Sequence, residues 1–220
     1  MKLFKYIALV GVLCAAFTIA KADTIFTLTV PNGAISPFTG PYATVDVHLV
    51  DSTHATITFT SLTNSGNIYL FGDGGSVDVN VNATSFSLGT ITGSNAGTGF
   101  TPGPWSDGGS GNVDGFGVLN QTINSFDGFT HSSDKISFGL TDLSGTWASD
   151  AVVLTPNAGG TEAAAHIFVT SSPANGQNGA IVTGFAANGG ATHVPDGGAT
   201  AMLFGAALSG LALVRRFVKR

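Results

Sequence analysis

The sequence predicts an all-β body, an antiparallel β-sandwich or jelly roll, flanked by an N-terminal signal-peptide helix and a C-terminal transmembrane helix. Apolar and polar residues alternate along many short stretches in the middle of the chain, and Gly, Asn, Asp and Pro separate those stretches. The long apolar runs lie only at residues 6–20 and 199–214. Alternation with a period of two is typical of half-buried strands, whereas a parallel sheet would need helices for its crossovers.

Residues 1–22 are predicted to be a signal peptide. A short basic start precedes the apolar run 6–20, and Ala20 and Ala22 supply the small residues of a signal peptidase site, so we expect cleavage before Asp23. The fifteen residues of the run fall short of the roughly twenty that a membrane-spanning helix needs. A retained membrane helix and a lipoprotein anchored through Cys14 are the alternatives.

Ten strands are predicted in a single body that covers residues 23–183. A Gly-, Ser- and Pro-rich segment at 89–115 is expected to form a long surface loop or a partly ordered excursion, and residues 184–193 a flexible tether. The predicted strands are 24–30, 44–49, 55–60, 68–71, 76–81, 84–88, 136–141, 151–155, 166–170 and 180–185.

The charge of the middle segment excludes several classes of function. Residues 23–193 hold twelve acidic residues against Lys135 alone, a formal net charge of −11. Such a surface repels phosphate backbones, which argues against a nucleic-acid partner. The segment has no cysteine, so disulfides, cysteine metal sites and a cysteine nucleophile are excluded there.

The end of the chain has three consecutive parts. A turn-forming motif comes first, an apolar stretch at 199–214 follows, and a basic tail closes the chain. An apolar stretch of this length crosses a thin bilayer, and the basic tail holds the C-terminus on the cytoplasmic side. The body is then expected on the outer side. The motif residues are Val194, Pro195, Asp196, Gly197 and Gly198, and the tail cations are Arg215, Arg216, Lys219 and Arg220.

This ending resembles the C-terminal sorting signal of PEP-CTERM proteins, which are substrates of the membrane protease-transpeptidases called exosortases in Gram-negative bacteria. The resemblance covers the last 27 residues, and Asp196 and Gly197 make it closer to the Val-Pro-Asp variants than to the namesake motif. It implies export, transient anchoring in the inner membrane, and recognition of the motif by an exosortase. Removal of helix and tail, with attachment to a carrier, would then leave the body at the cell surface or in the extracellular matrix. A plain membrane anchor is the alternative.

Two groups of side chains in the body are candidate metal ligands. His48 and His54 would face one another across a hairpin if Val47 paired with Ala55. A loop site for Ca²⁺ would use the oxygen atoms of a Gly- and Asp-rich run. Solvated turns and a polar strand face are the favoured interpretations, so no metal and no cofactor is predicted. The candidate calcium ligands are Asp107, Asn112 and Asp114.

The sequence offers no usable spacing for catalysis. No paired carboxylates, Ser-based triad motif or His-rich zinc motif is found, and Glu162 is the only glutamate, so we predict that the chain is not an enzyme. The predicted function is that of a structural or interaction protein of the cell surface or extracellular polysaccharide matrix. The alternative is a carbohydrate-binding module or glycan-acting enzyme on the same sandwich, with Trp105 or Trp147 stacking on sugar rings. The expected processing partners are signal peptidase and an exosortase-like protease.

Overall fold

Fourteen β-strands and two short 3₁₀ helices make up the part of the chain that the computed structural model describes, residues 23–189 and the backbone of Val194–Pro195. All named strand pairs there are antiparallel, which confirms the all-β antiparallel prediction. The predicted signal peptide and C-terminal helix lie outside the described residues. Between residues 23 and 189, no helix is long and apolar enough to cross a membrane.

The strands form two sheets. The strands of the first sheet are β1 (Thr24–Leu28), β3 (Ala43–Leu49), β4 (His54–Ser61), β8 (Phe86–Ser94), β11 (Lys135–Asp142) and β14 (Val194–Pro195). Those of the second are β2 (Val30–Pro31), β5 (Thr63–Asn64), β6 (Asn67–Phe71), β7 (Asp73–Val79), β9 (Ser106–Val113), β10 (Gly117–Ser125), β12 (Ala163–Ser171) and β13 (Val182–Ala187).

The order of the strands in the first sheet is β14-β1-β3-β4-β11-β8, and in the second it is β2-β13-β12-β7-β10-β9. Two short strands extend the second sheet, where β6 pairs with β12, and β5 with β6.

One hydrophobic core joins the two sheets. The alternate residues of β3 and β4 that point inward are almost wholly buried, and they belong to the same apolar cluster as the inward residues of β6, β7 and β12. Each large apolar side chain in this cluster stabilises the fold by about 1.5–3 kcal/mol. The largest fully buried side chains of the cluster are Tyr42, Tyr69, Phe59, Phe71 and Phe138.

Nine of the ten predicted strands overlap an observed strand, and the prediction for residues 151–155 is wrong. Asp150–Val152 is a 3₁₀ helix there, and Leu154 makes only an isolated bridge to Val81. The buried carboxylate of Asp150 accepts a hydrogen bond from the backbone N–H of Leu49. This bond holds the turn against β3, so the apolar residues of 151–155 pack in a turn and not in a strand.

The prediction of a long loop at 89–115 is also wrong. Strand β8 continues to Ser94, β9 begins at Ser106, and only residues 95–105 connect them. The glycines of β9 permit close contact with β10: a Cβ at Gly108 would lie 2.2 Å from Oγ1 of Thr122, and one at Gly111 2.8 Å from its Cγ2. Glycine in a strand often marks such an approach of a neighbouring group, so composition alone concealed this strand.

The predicted tether begins later than expected. Strand β13 extends to Ala187, and both Ala186 and Ala187 are buried. The side-chain oxygen of Asn188 accepts the backbone N–H groups of Glu162 and Ala163, each at 3.0 Å. Residues 184–188 therefore belong to the folded body, and residues 190–193 lie outside the described part of the chain.

Candidate functional site

The two-residue strand β14 lies at the outer edge of the first sheet. Val194 is opposite Ile25, and Pro195 is opposite Thr24. On its other side β1 pairs with β3 along all five of its residues. The predicted motif therefore begins beside β1, the first strand of the predicted mature chain. That chain would start at Asp23, and β1 starts at the next residue.

An ion pair fixes the start of β1. Nδ1 of His48, on β3, lies 2.5 Å from Oδ1 of Asp23. This hydrogen bond to Asp23 is the main cause that raises the pKa of His48 above its usual value of 6.5. The residue that signal peptidase is expected to expose is thus held by a side chain of the neighbouring strand.

The same hairpin disproves the predicted pairing of the two histidines. Val47 is opposite Ile57 and not Ala55, so His48 faces Thr56 across the strands. His54 contacts the nearby Asp51 instead, at 2.9 Å. Each histidine has its own carboxylate, and the two do not form one metal site.

The turn that joins β3 to β4 sets this register. Asp51 Oδ1 accepts the backbone N–H groups of Thr53, at 2.8 Å, and His54, at 2.9 Å. These bonds, with that to Thr53 the largest influence, hold the pKa of Asp51 well below its usual range. The carboxylate closes a four-residue turn between β3 and β4, which displaces the strand pairing by two residues from the prediction.

A comparison with protein-family models identifies the segment that contains β14. Residues 193–216 match the VPDSG-CTERM motif. This motif is a PEP-CTERM-like variant of the exosortase sorting signal, so the resemblance found in the sequence is confirmed. Val194, Pro195, Asp196 and Gly198 agree with the letters of its name, and Gly197 stands at the serine position. No curated protein and no solved structure matched the chain.

The VPDSG-CTERM motif indicates an exported chain that an exosortase processes as its substrate, with transient membrane sorting toward the cell surface. The matched range includes Arg215 and Arg216 of the basic tail. Of the motif itself, only the backbone of Val194 and Pro195 falls within the described residues. The other predicted signal residues, which lie outside them, are Ala20, Ala22, Asp196, Gly197, Gly198, Arg215, Arg216, Lys219 and Arg220.

The calcium candidates upstream of the VPDSG-CTERM motif do not come together. Asp107, near the start of β9, accepts hydrogen bonds from the backbone of Gly109 and the side chain of Gln121, both at 2.8 Å. Asn112 lies near the other end of β9, about 17 Å from Asp107 at the usual rise per residue, and Asp114 follows the end of that strand. The strand therefore separates Asp107 from Asn112 by more than two ligands of one Ca²⁺ ion can span. Within residues 23–189, no three His, Cys, Asp or Glu side chains are grouped to hold a metal ion.

Both tryptophans donate hydrogen bonds within the protein. Trp147 is 2 % exposed, and its Nε1 donates to the carbonyl of Asn82 at 2.8 Å, so its ring is not available to a sugar. Trp105 is half-buried and donates to Oγ of Ser133 at 3.3 Å. A Cβ at Gly93 would lie 2.5 Å from the Trp105 ring, which shows how closely β8 approaches it.

Sequence reasoning missed two polar side chains of the second sheet, the buried Asp78 of β7 and the half-buried His166 of β12. Asp78 is fully buried, and among the described residues neither of its carboxylate oxygens has a hydrogen-bond partner. His166 is stacked on Phe185, with ring centroids 4.5 Å apart. Burial raises the pKa of Asp78 well above its usual value and lowers that of His166, so both favour their neutral forms.

The alternation of β7 held no signal for the burial of Asp78. Asp78 stands between Val77 and Val79, which face the core, so alternation alone would place it on a solvated face. The opposite face of the second sheet is covered as well, by a smaller apolar cluster around Leu119 and Ala164. A strand that is buried on both faces does not reveal by its alternation which polar residue is enclosed.

Proposed function

We propose that this chain is an exosortase-sorted protein that ends at the cell surface or in the extracellular matrix, where its β-sandwich body acts without catalysis. The observation that carries the proposal is the match of residues 193–216 to the VPDSG-CTERM motif, at the end of an acidic all-β body. The motif directs the chain to the sorting enzyme, and the body is the part that reaches the cell surface or matrix. Extracellular polysaccharide is the proposed partner of the delivered body.

The surface near the end of β11 supports a structural role for the body. A groove of about 530 Å³ opens there beside Asp142, Ser144 and Trp147. Its polar atoms bond within the protein: Asp142 Oδ1 accepts the backbone N–H of Ser144 at 2.8 Å and that of Gly145 at 2.9 Å. Oγ of Ser144 in turn accepts the N–H of Thr84 at 3.1 Å. These bonds hold two loops together, which supports a structural role for the groups at this groove.

The sorting step is tested by replacing motif residues and following the chain through cell fractions. In the Pro195→Ala, Asp196→Ala variant we expect the signal peptide to be removed while the C-terminal segment stays attached, so the chain accumulates in the inner membrane. Wild type and a control, Asp127→Ala, which changes an exposed residue of the body, should leave the membrane fraction. Equal release of the motif variant and wild type would contradict the proposal.

A further inference from the structure

We propose that the outer edge of β1 is a docking strand for the chain's own VPDSG-CTERM motif, and that exosortase acts on the undocked form. This inference rests on the proposed sorting function and adds a step before cleavage. The observation behind it is the antiparallel pairing of Val194 with Ile25 and of Pro195 with Thr24.

The edge of β1 is suited to bind a strand. Its residues, Thr24–Leu28, contain no charge and no proline, the features that commonly protect an exposed edge. The side toward β3 is fully paired, and among the described residues only β14 forms a ladder with the other side. Without β14 this edge would present unpaired peptide groups.

The path of the chain brings the motif to this edge. The backbone carbonyl of Ala187, at the end of β13, accepts the N–H of Thr29 at 3.0 Å, and Thr29 directly follows β1. The chain therefore leaves the second sheet beside the C-terminal end of β1. Only residues 188–193 separate this point from β14, and so short a connection keeps the motif at a high effective concentration near its edge.

Docking occupies peptide groups of the motif that exosortase is proposed to recognise. Pro195 has no N–H, so the pair that exchanges both hydrogen bonds must be Ile25 and Val194. An enzyme that binds the N–H and carbonyl groups of Val194 that face Ile25 has to displace β1 first. The cleavage rate should then scale with the fraction of chains in which β14 is released.

A reversible cross-link between the two strands tests this step. Residues directly opposite in an antiparallel pair have Cα atoms about 4.5–5.5 Å apart, within the disulfide range of about 4.4–6.8 Å. The body has no other cysteine. In native cells that express the full chain, the oxidised Ile25→Cys, Val194→Cys variant should be processed at least about tenfold more slowly than either single variant. Reductant added to the same cells should restore cleavage.

Two comparisons separate the possible failures. If the cross-linked chain, verified by mass, is cleaved as fast as the single variants, the docking proposal is overturned. If wild type and both single variants also remain uncut, the proposed sorting function fails instead.

A second variant tests docking without any change in the motif. Because Ile25 exchanges its hydrogen bonds with Val194, its N–H points toward β14 and away from β3. Ile25→Pro therefore removes a hydrogen bond to β14 and keeps the hydrogen bonds between β1 and β3. We expect this precursor to be cleaved at least about twofold faster than wild type, in proportion to its larger undocked fraction. An unchanged rate, with an unchanged melting temperature, would refute docking even if Val194→Cys alone impaired recognition.

Discussion

The carboxyl group of Asp78 gives the clearest pH-dependent prediction for a single residue. Burial raises its pKa well above 3.8, so the folded state keeps a proton that the unfolded state releases. The free energy of unfolding should therefore fall as the pH rises above about 4 and through the raised folded pKa. Asp78→Asn should remove this loss, which denaturant titrations at pH 5 and pH 9 would measure.

A matched variant shows whether the effect belongs to the buried site. Asp127→Asn changes an exposed carboxyl and should leave the pH dependence of unfolding as in wild type. The explanation fails if Asp78→Asn loses as much stability between the two pH values as wild type does.

The contact between Asp23 and His48 predicts a second titration. The hydrogen bond raises the pKa of His48, so the pair contributes stability below the unfolded pKa of 6.5 and loses it as the pH rises through the folded value. In the mature chain, Asp23→Asn should lower the NMR titration midpoint of His48 below its value in the chain that keeps Asp23. A midpoint that does not move would show that the contact is absent in solution.

Among the structural elements, the 3₁₀ helix at Asp150–Val152 depends on one buried acceptor. Asp150→Ala would leave the backbone N–H of Leu49 without a partner in the interior. We expect this to cost about 1–3 kcal/mol in the free energy of unfolding. Asp150→Asn keeps an acceptor oxygen and should cost less, and equal values for the two variants would show that the bond does not matter.

The elements also show what the sequence could predict. Strands β3 and β4 each have one inward and one outward face, so alternation located them well. Strand β9 was missed because its glycines serve close packing against Thr122 and carry no periodic pattern. The register of the β3–β4 hairpin was missed because it depends on Asp51, a turn residue whose bonds are invisible to periodicity.

For the whole molecule, the sorting motif could be predicted from the sequence, but its pairing with β1 could not. The VPDSG-CTERM motif is recognised from the order of neighbouring residues, so its resemblance to the sorting signal could be predicted and is confirmed. The pairing of that motif with β1 joins residues about 170 positions apart, and only the folded body brings them together. The calcium candidates show the converse, since Asp107 and Asn112 are close in sequence but lie toward opposite ends of one strand.

The central claim is that this acidic all-β body is cargo released by processing at both ends. Top-down mass spectrometry of the protein recovered from its own cells tests it most directly. We expect a chain that begins at Asp23 and lacks the apolar stretch and basic tail at 199–220, with added mass if a carrier is attached. A chain that still ends at Arg220 in the surface or matrix fraction would contradict the claim.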